Sequence, residues 1–186
     1  MRVIAGEYRS RVLVAPRGRD TRPTSGRLRE TLFNVLAPRI EGAVFVDLYA
    51  GSGAVGIEAL SRGAREAVFV ESAEPALKAI RANLAALSIK GGCALEPRSA
   101  TAALKRLALS ERFADLVFLD PPYESIGEYE AALGLLGGEC SGVLAPNGIV
   151  VAEHAKKHDL SERYGELTRY RVLKQGDAAL SFYAAL

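Results

Sequence analysis

Apolar positions along the chain change rhythm twice. From residue 44 onward, short apolar blocks without polar alternation predict strands at Val44–Leu48, Ala67–Glu71, Ala94–Pro97, Leu116–Asp120 and Ile149–Glu153. Between them, helical spacing predicts helices over Ala54–Ser61, Pro75–Leu87, Thr101–Leu109 and Tyr129–Leu136. Strands apolar on both faces and separated by helices are the pattern of a parallel sheet covered on both sides. The end of the chain breaks this alternation, because Leu167–Leu173 and Leu180–Ala184 flank Gln175-Gly176-Asp177 and read as an antiparallel hairpin. Ahead of residue 44, Val3-Ile4-Ala5 and Val12-Leu13-Val14 predict two short strands of another hairpin. A Gly-, Pro- and Arg-rich loop over Pro16–Pro23 follows. Thr24 or Ser25 then caps a helix with Leu28, Leu32, Val35 and Leu36 on one face, which Pro38 is expected to stop. The expectation is one α/β domain over residues 1–186, with 1–40 as a hairpin-plus-helix extension.

Composition narrows the class. The chain has 186 residues, 49% hydrophobic and 25% charged, outside the disordered and collagenous ranges. At that length about 70% of the unfolded surface is buried on folding, enough for a full core without staples. No apolar run reaches the roughly 20 residues of a membrane span. The N-terminus meets Glu7 too early for a signal peptide, so a cytoplasmic protein with no membrane partner is expected. Cys93 and Cys140 lack the spacing of a zinc or disulfide framework. His154 and His158 have helical spacing but no third ligand nearby, so they read as surface residues and no metal is expected.

The net charge of +2 hides an uneven distribution. Residues 1–40 carry nine Arg, no Lys and three acids, whereas the remaining 146 residues hold fifteen basic and nineteen acidic side chains. An all-arginine arm on an acidic body suits phosphate oxygens, which the planar guanidinium fork matches. A merely solvated arm is the alternative.

The predicted strand Val44–Leu48 runs into Tyr49-Ala50-Gly51-Ser52-Gly53-Ala54-Val55-Gly56. Glycines at a strand-to-helix turn occupy the ligand crevice of open α/β sheets, and Gly51, Gly53 and Gly56 match GxGxxG. Glu71 ends the next predicted strand, eighteen residues after Gly53, where a carboxylate can accept ribose hydroxyls. Loop and acid together predict an adenosine-containing cofactor, against a purely structural tight turn. A nicotinamide enzyme would need a second mononucleotide-binding half. Asp47 suits a cationic amino group better than a pyrophosphate, which it would repel. That favours S-adenosylmethionine, with S-adenosylhomocysteine as product.

A second element arrives with the strand Leu116–Leu119, which delivers Asp120-Pro121-Pro122-Tyr123. Two prolines remove two backbone donors and leave a rigid turn rich in acceptors, the surroundings an exocyclic amine requires. Tyr123 offers a flat face for an extruded base, worth about 1 to 3 kcal/mol. The structural alternative is a strand-ending turn with a core tyrosine.

Asp47-Leu48-Tyr49-Ala50-Gly51-Ser52-Gly53 with Asp120-Pro121-Pro122-Tyr123 resembles class I amino methyltransferases, which act on adenine N6, cytosine N4 or guanine N2. The segments Arg22-Pro23-Thr24-Ser25-Gly26-Arg27-Leu28-Arg29-Glu30-Thr31-Leu32-Phe33-Asn34 and Gly56-Ile57-Glu58-Ala59-Leu60-Ser61-Arg62-Gly63-Ala64 closely resemble the RsmD family, bacterial enzymes that methylate a guanine N2 in 16S rRNA. The likeness runs from Arg2 to about Val151 and returns in Ala179–Tyr183.

The resemblance implies a class I S-adenosylmethionine-dependent (Rossmann-like) fold with a mostly parallel sheet. Its substrate would be 16S rRNA in a 30S subunit or assembly intermediate, and a monomer is expected. It places Asp47, Ala50, Gly51, Ser52 and Gly53 on the methionine portion of the cofactor and Glu71 on its ribose. Asp120, Pro121, Pro122 and Tyr123 would hold the guanine, with Thr24, Arg22, Arg27 and Arg29 closing the site. Arg9, Arg11, Arg17 and Arg19 would meet RNA. Ser99 and Ala100 stand where such enzymes place an Asp or Asn on the adenine amine, a departure from the pattern. Two other readings stay open: a DNA adenine-N6 methyltransferase, and a non-catalytic RNA-binding protein that retains the cofactor loop.

Overall fold

The computed structural model describes residues 1–16, 26–110, 113–122 and 125–185. They form two compact units, Met1–Arg98 and Ser99–Leu186. Of the expected site residues, Arg17, Arg19, Arg22, Thr24 and Tyr123 lie outside the described residues.

In the first unit the elements run α1 (Gly26–Ile40), β1 (Val44–Asp47), α2 (Ala54–Ser61), β2 (Glu66–Val70), α3 (Glu74–Ala86) and β3 (Cys93–Glu96). The three strands are parallel in the order β3-β2-β1, with Asp47 opposite Phe69 and Val70 opposite Glu96. Every residue of β1 is buried, which explains why its sequence shows no alternation. The α1 helix buries Leu28, Leu32, Phe33, Leu36 and Ile40, and the Phe33 ring stacks on Phe45 at 6.1 Å between centroids. Pro38 does not stop this helix, which continues to Ile40. A proline so near the C-terminal end costs one backbone bond, while burial of Leu36 and Ile40 on either side holds the last turn.

The N-terminal hairpin is less regular than predicted. Two strands were expected, but the segment has a single antiparallel bridge between Arg2 and Val12. Its order comes from anchoring to the body. Val3 and Leu13 are buried in one apolar cluster with Ala50, Ala54, Ile57 and Phe69.

The second unit contains α4 (Ala100–Ala108), β4 (Ala114–Leu119), α5 (Ile126–Leu136), β5 (Leu144–Ala155), β6 (Arg163–Tyr164), β7 (Leu167–Gln175) and β8 (Ala178–Ala185). Strand β4 pairs parallel with β5, and antiparallel pairing continues through β8, β7 and β6, so the predicted closing hairpin is β7–β8. His154 is not at the surface: it sits on β5 at 3% exposure, its Nε2 2.9 Å from Ser181 Oγ. The apparent helical spacing to His158 misled, because residue 154 belongs to a strand packed on both sides. Burial lowers its pKa below the ordinary imidazole value.

Candidate active site

The loop between β1 and α2 is shaped by its glycines. Gly51 and Gly53 have φ of 55° and 78°, the left-handed region where a side chain is strained. A Cβ on Gly53 would press on Ile80 and Phe69 at 3.3 and 3.4 Å, and one on Gly56 would collide with the Phe69 ring. Gly56 therefore lets α2 lie directly on β2. A Cβ on Gly51 would meet nothing nearer than Tyr49 O at 4.0 Å, so that face of the loop is open to a ligand.

Two carboxylates hold the loop. Asp47, 1% exposed, accepts the Gly56 N–H on Oδ2 at 3.1 Å and so satisfies a first-turn donor of α2. Burial raises its pKa to about 7; the Glu71 charge adds to the rise, while the backbone N–H groups of Gly56 and Tyr49 oppose it. Glu71 follows β2, accepting the Gly51 N–H on Oε2 at 3.0 Å and the Ser72 and Ala73 N–H groups on Oε1, both at 2.8 Å. These bonds fix a half-buried carboxylate at the lip of the open loop, an arrangement that fits an adenosine-type ligand with vicinal hydroxyls. Ala50 and Ser52 lie beneath, 7% and 8% exposed.

At the start of the second unit, Ser99 is exposed and caps α4, accepting the Ala102 N–H at 3.3 Å, with Ala100 buried behind it. Asp120 directly follows β4 and is half-buried, Pro121 is buried, and Pro122 is exposed with its carbonyl accepting the Ser125 N–H.

The arginines divide. Arg9, Arg11 and Arg27 are exposed, and Arg11 donates to Ala86 O at 3.0 Å. Arg29 is placed otherwise than expected. It is 2% exposed, donates to Arg2 O, and its Nε stands 3.7 Å from Glu58 Oε2, so it cannot meet phosphate from this position.

Glu58, to which the sequence reading assigned no role, organises the arm. Fully buried, it accepts the Ile4 and Ala5 N–H groups at 2.8 and 3.0 Å and Arg62 Nε at 2.8 Å. The Arg62 guanidinium also lies 5.0 Å from the Phe33 ring centroid. An acid in the otherwise apolar stretch Ala54–Leu60 was the available signal.

The family model described as conserved hypothetical protein 95 matches residues 1–184. Ribosomal RNA small subunit methyltransferase D of Escherichia coli K12 is 37% identical over 183 residues, covering 98% of this chain and 89% of its own length. Bacillus subtilis YlbH is 36% identical over 183 residues, with 98% of each chain covered. The solved structure of Escherichia coli yhhF superposes with a TM-score of 0.84 at 33% identity, covering 98% of this chain and 96% of that one. The α/β class read from the strand and helix pattern is thus the fold of its structural relatives. The chain belongs to the conserved hypothetical protein 95 family, the RsmD family that its motifs resemble.

Proposed function

We propose that this protein is an S-adenosylmethionine-dependent rRNA methyltransferase of the small ribosomal subunit, and that its acceptor is the exocyclic N2 amine of a guanine. The observation that carries this reading is the open glycine loop of the first unit, braced by Glu71 at Gly51; the Asp120-Pro121-Pro122 segment after β4 in the second unit supports the choice of an amine as acceptor. The relatives named for small-subunit rRNA methylation support the substrate class.

Glu71 would take the ribose hydroxyls while keeping its bond to Gly51. Asp47 stays beneath the loop and lends negative charge to the amino acid end of the cofactor. When bound, S-adenosylmethionine supplies an electrophilic sulfonium methyl and departs as S-adenosylhomocysteine. Asp120 and the Pro121 carbonyl would accept hydrogen bonds from the guanine amine and fix its orientation. As the amine gained the methyl group, positive charge would grow on its nitrogen, and the Asp120 carboxylate would stabilise it and receive a proton or pass it to water. Positioning carries most of the acceleration. Tyr123 would stack the extruded base. Exposed Arg9, Arg11 and Arg27, with Arg17, Arg19 and Arg22, would meet phosphates, and residues 1–186 act as one methyltransferase domain.

The test is methyl transfer from labelled S-adenosylmethionine to small-subunit particles lacking the modification, with genomic DNA in parallel. Label in RNA and none in DNA is expected; label in DNA would favour the adenine-N6 alternative.

A further inference from the structure

One buried side chain joins the N-terminal arm to the glycine loop. Asn83 lies on α3 at 2% exposure. Its Oδ1 accepts the Val14 N–H at 2.8 Å, and its Nδ2 donates to Val14 O at 3.0 Å and to Ser52 O at 2.9 Å. The amide's two donors and its acceptor are thus all spent on these two segments.

The Ser52 contact fixes more than one atom. The peptide linking Ser52 to Gly53 has its carbonyl held by Asn83 and its N–H held by Ala50 O at 2.6 Å. That unit lies between the two left-handed glycines, where the backbone has the most freedom to rotate. Glu71 holds the same loop from its other side, at Gly51 N. The arm reaches the loop a second time, with Met1 Sδ 3.7 Å from Ser52 Oγ and 3.5 Å from Arg29. Val14 is also the point from which the arm continues toward Arg17, Arg19 and Arg22.

We propose that Asn83 is a positioning residue for the cofactor: by gripping Val14 and Ser52 with one amide, it makes the shape of the glycine loop depend on how the arm is seated. This rests on the reading that the loop binds S-adenosylmethionine. Any event that moves the arm at Val14, RNA contact included, then changes cofactor affinity, and the cofactor changes RNA affinity by the same factor.

Two variants separate this from simple structural support. Asn83→Asp keeps the acceptor for Val14 N–H and removes the donors to Ser52 and Val14. Val14→Pro removes the N–H given to Asn83 and fixes the backbone at residue 14, so the arm is reseated there while the Asn83 donor to Ser52 is left in place. S-adenosylmethionine binding is measured by calorimetry well below each variant's melting midpoint. Both should bind about tenfold more weakly than the unaltered protein, the scale of one buried hydrogen bond. The KM for cofactor should rise in step, and the change in RNA-particle affinity that saturating cofactor produces should shrink toward none. Should Asn83→Asp fail to fold, Val14→Pro decides alone. A folded Val14→Pro protein with unchanged affinity overturns the coupling, even if Asn83→Asp binds weakly. Failure of the unaltered protein to bind S-adenosylmethionine would instead overturn the cofactor reading.

Discussion

The carboxylate of Asp47 and the amide of Gly56 close a 3.1 Å hydrogen bond inside the core, tying the end of β1 to the first turn of α2. Burial there raises the Asp47 pKa from 3.8 to about 7. Because the folded value lies above the unfolded one, the stability this group contributes is complete below the unfolded pKa and is lost as pH rises through about 7. Denaturant midpoints should therefore fall as pH rises from 3.8 to about 7 in the unaltered protein and level off above that, and fall less in Asp47→Asn.

The same group should make cofactor binding pH-linked. A cationic amino group favours the ionised carboxylate, so binding near neutrality should release protons from Asp47. Calorimetry in two buffers of different ionisation enthalpy checks this; no buffer dependence would mean that Asp47 does not sense the ligand's charge.

At Glu71, replacement by Ala should weaken S-adenosylmethionine binding by about 1 to 3 kcal/mol, with the fold retained. The side chain's bonds to Gly51, Ser72 and Ala73 are local and lie at the half-buried edge of the unit. Unchanged affinity in a folded variant would remove Glu71 from the site.

Asp120→Ala should abolish transfer by orders of magnitude while cofactor affinity holds. For Tyr123, Phe should be milder than Ala, since stacking needs the ring and not the hydroxyl. Equal losses from both would contradict the stacking role.

The arginines should sort by burial. Replacing Arg9, Arg11, Arg17 and Arg19 by Gln should lower the slope of log affinity against log salt by roughly 0.7 to 0.9 per lost phosphate contact. Arg29→Gln should leave that slope alone and cost about 1 to 3 kcal/mol of stability through the lost bond to Arg2 O, since Glu58 keeps Arg62 as its charge partner.

Much of this was legible in the sequence where local rules decide. The α2 boundaries, Ala54–Ser61, and the parallel strands follow from apolar blocks and from the glycines that start the helix. Strand β5 was read short, because its first residues, Leu144–Asn147, are half-buried or exposed and carry no apolar block. What could not be read were long-range partners. Nothing near Arg29 in the chain says that Glu58 lies opposite it, so the family resemblance groups this buried arginine with Arg22 and Arg27 at the site. Asn83 looked like an ordinary polar residue inside a helix, since its partners are 31 and 69 residues away. Charge counts report an arm; only tertiary contacts say which of its charges face water.

Mapping the methylated base tests the proposed acceptor at the level of the atom. Small-subunit particles lacking the modification are incubated with this protein and labelled S-adenosylmethionine, and the rRNA is digested to nucleosides. Label is expected in N2-methylguanosine at one site, absent with Asp120→Ala. Label on adenine or cytosine, or undiminished transfer by Asp120→Ala, would contradict it.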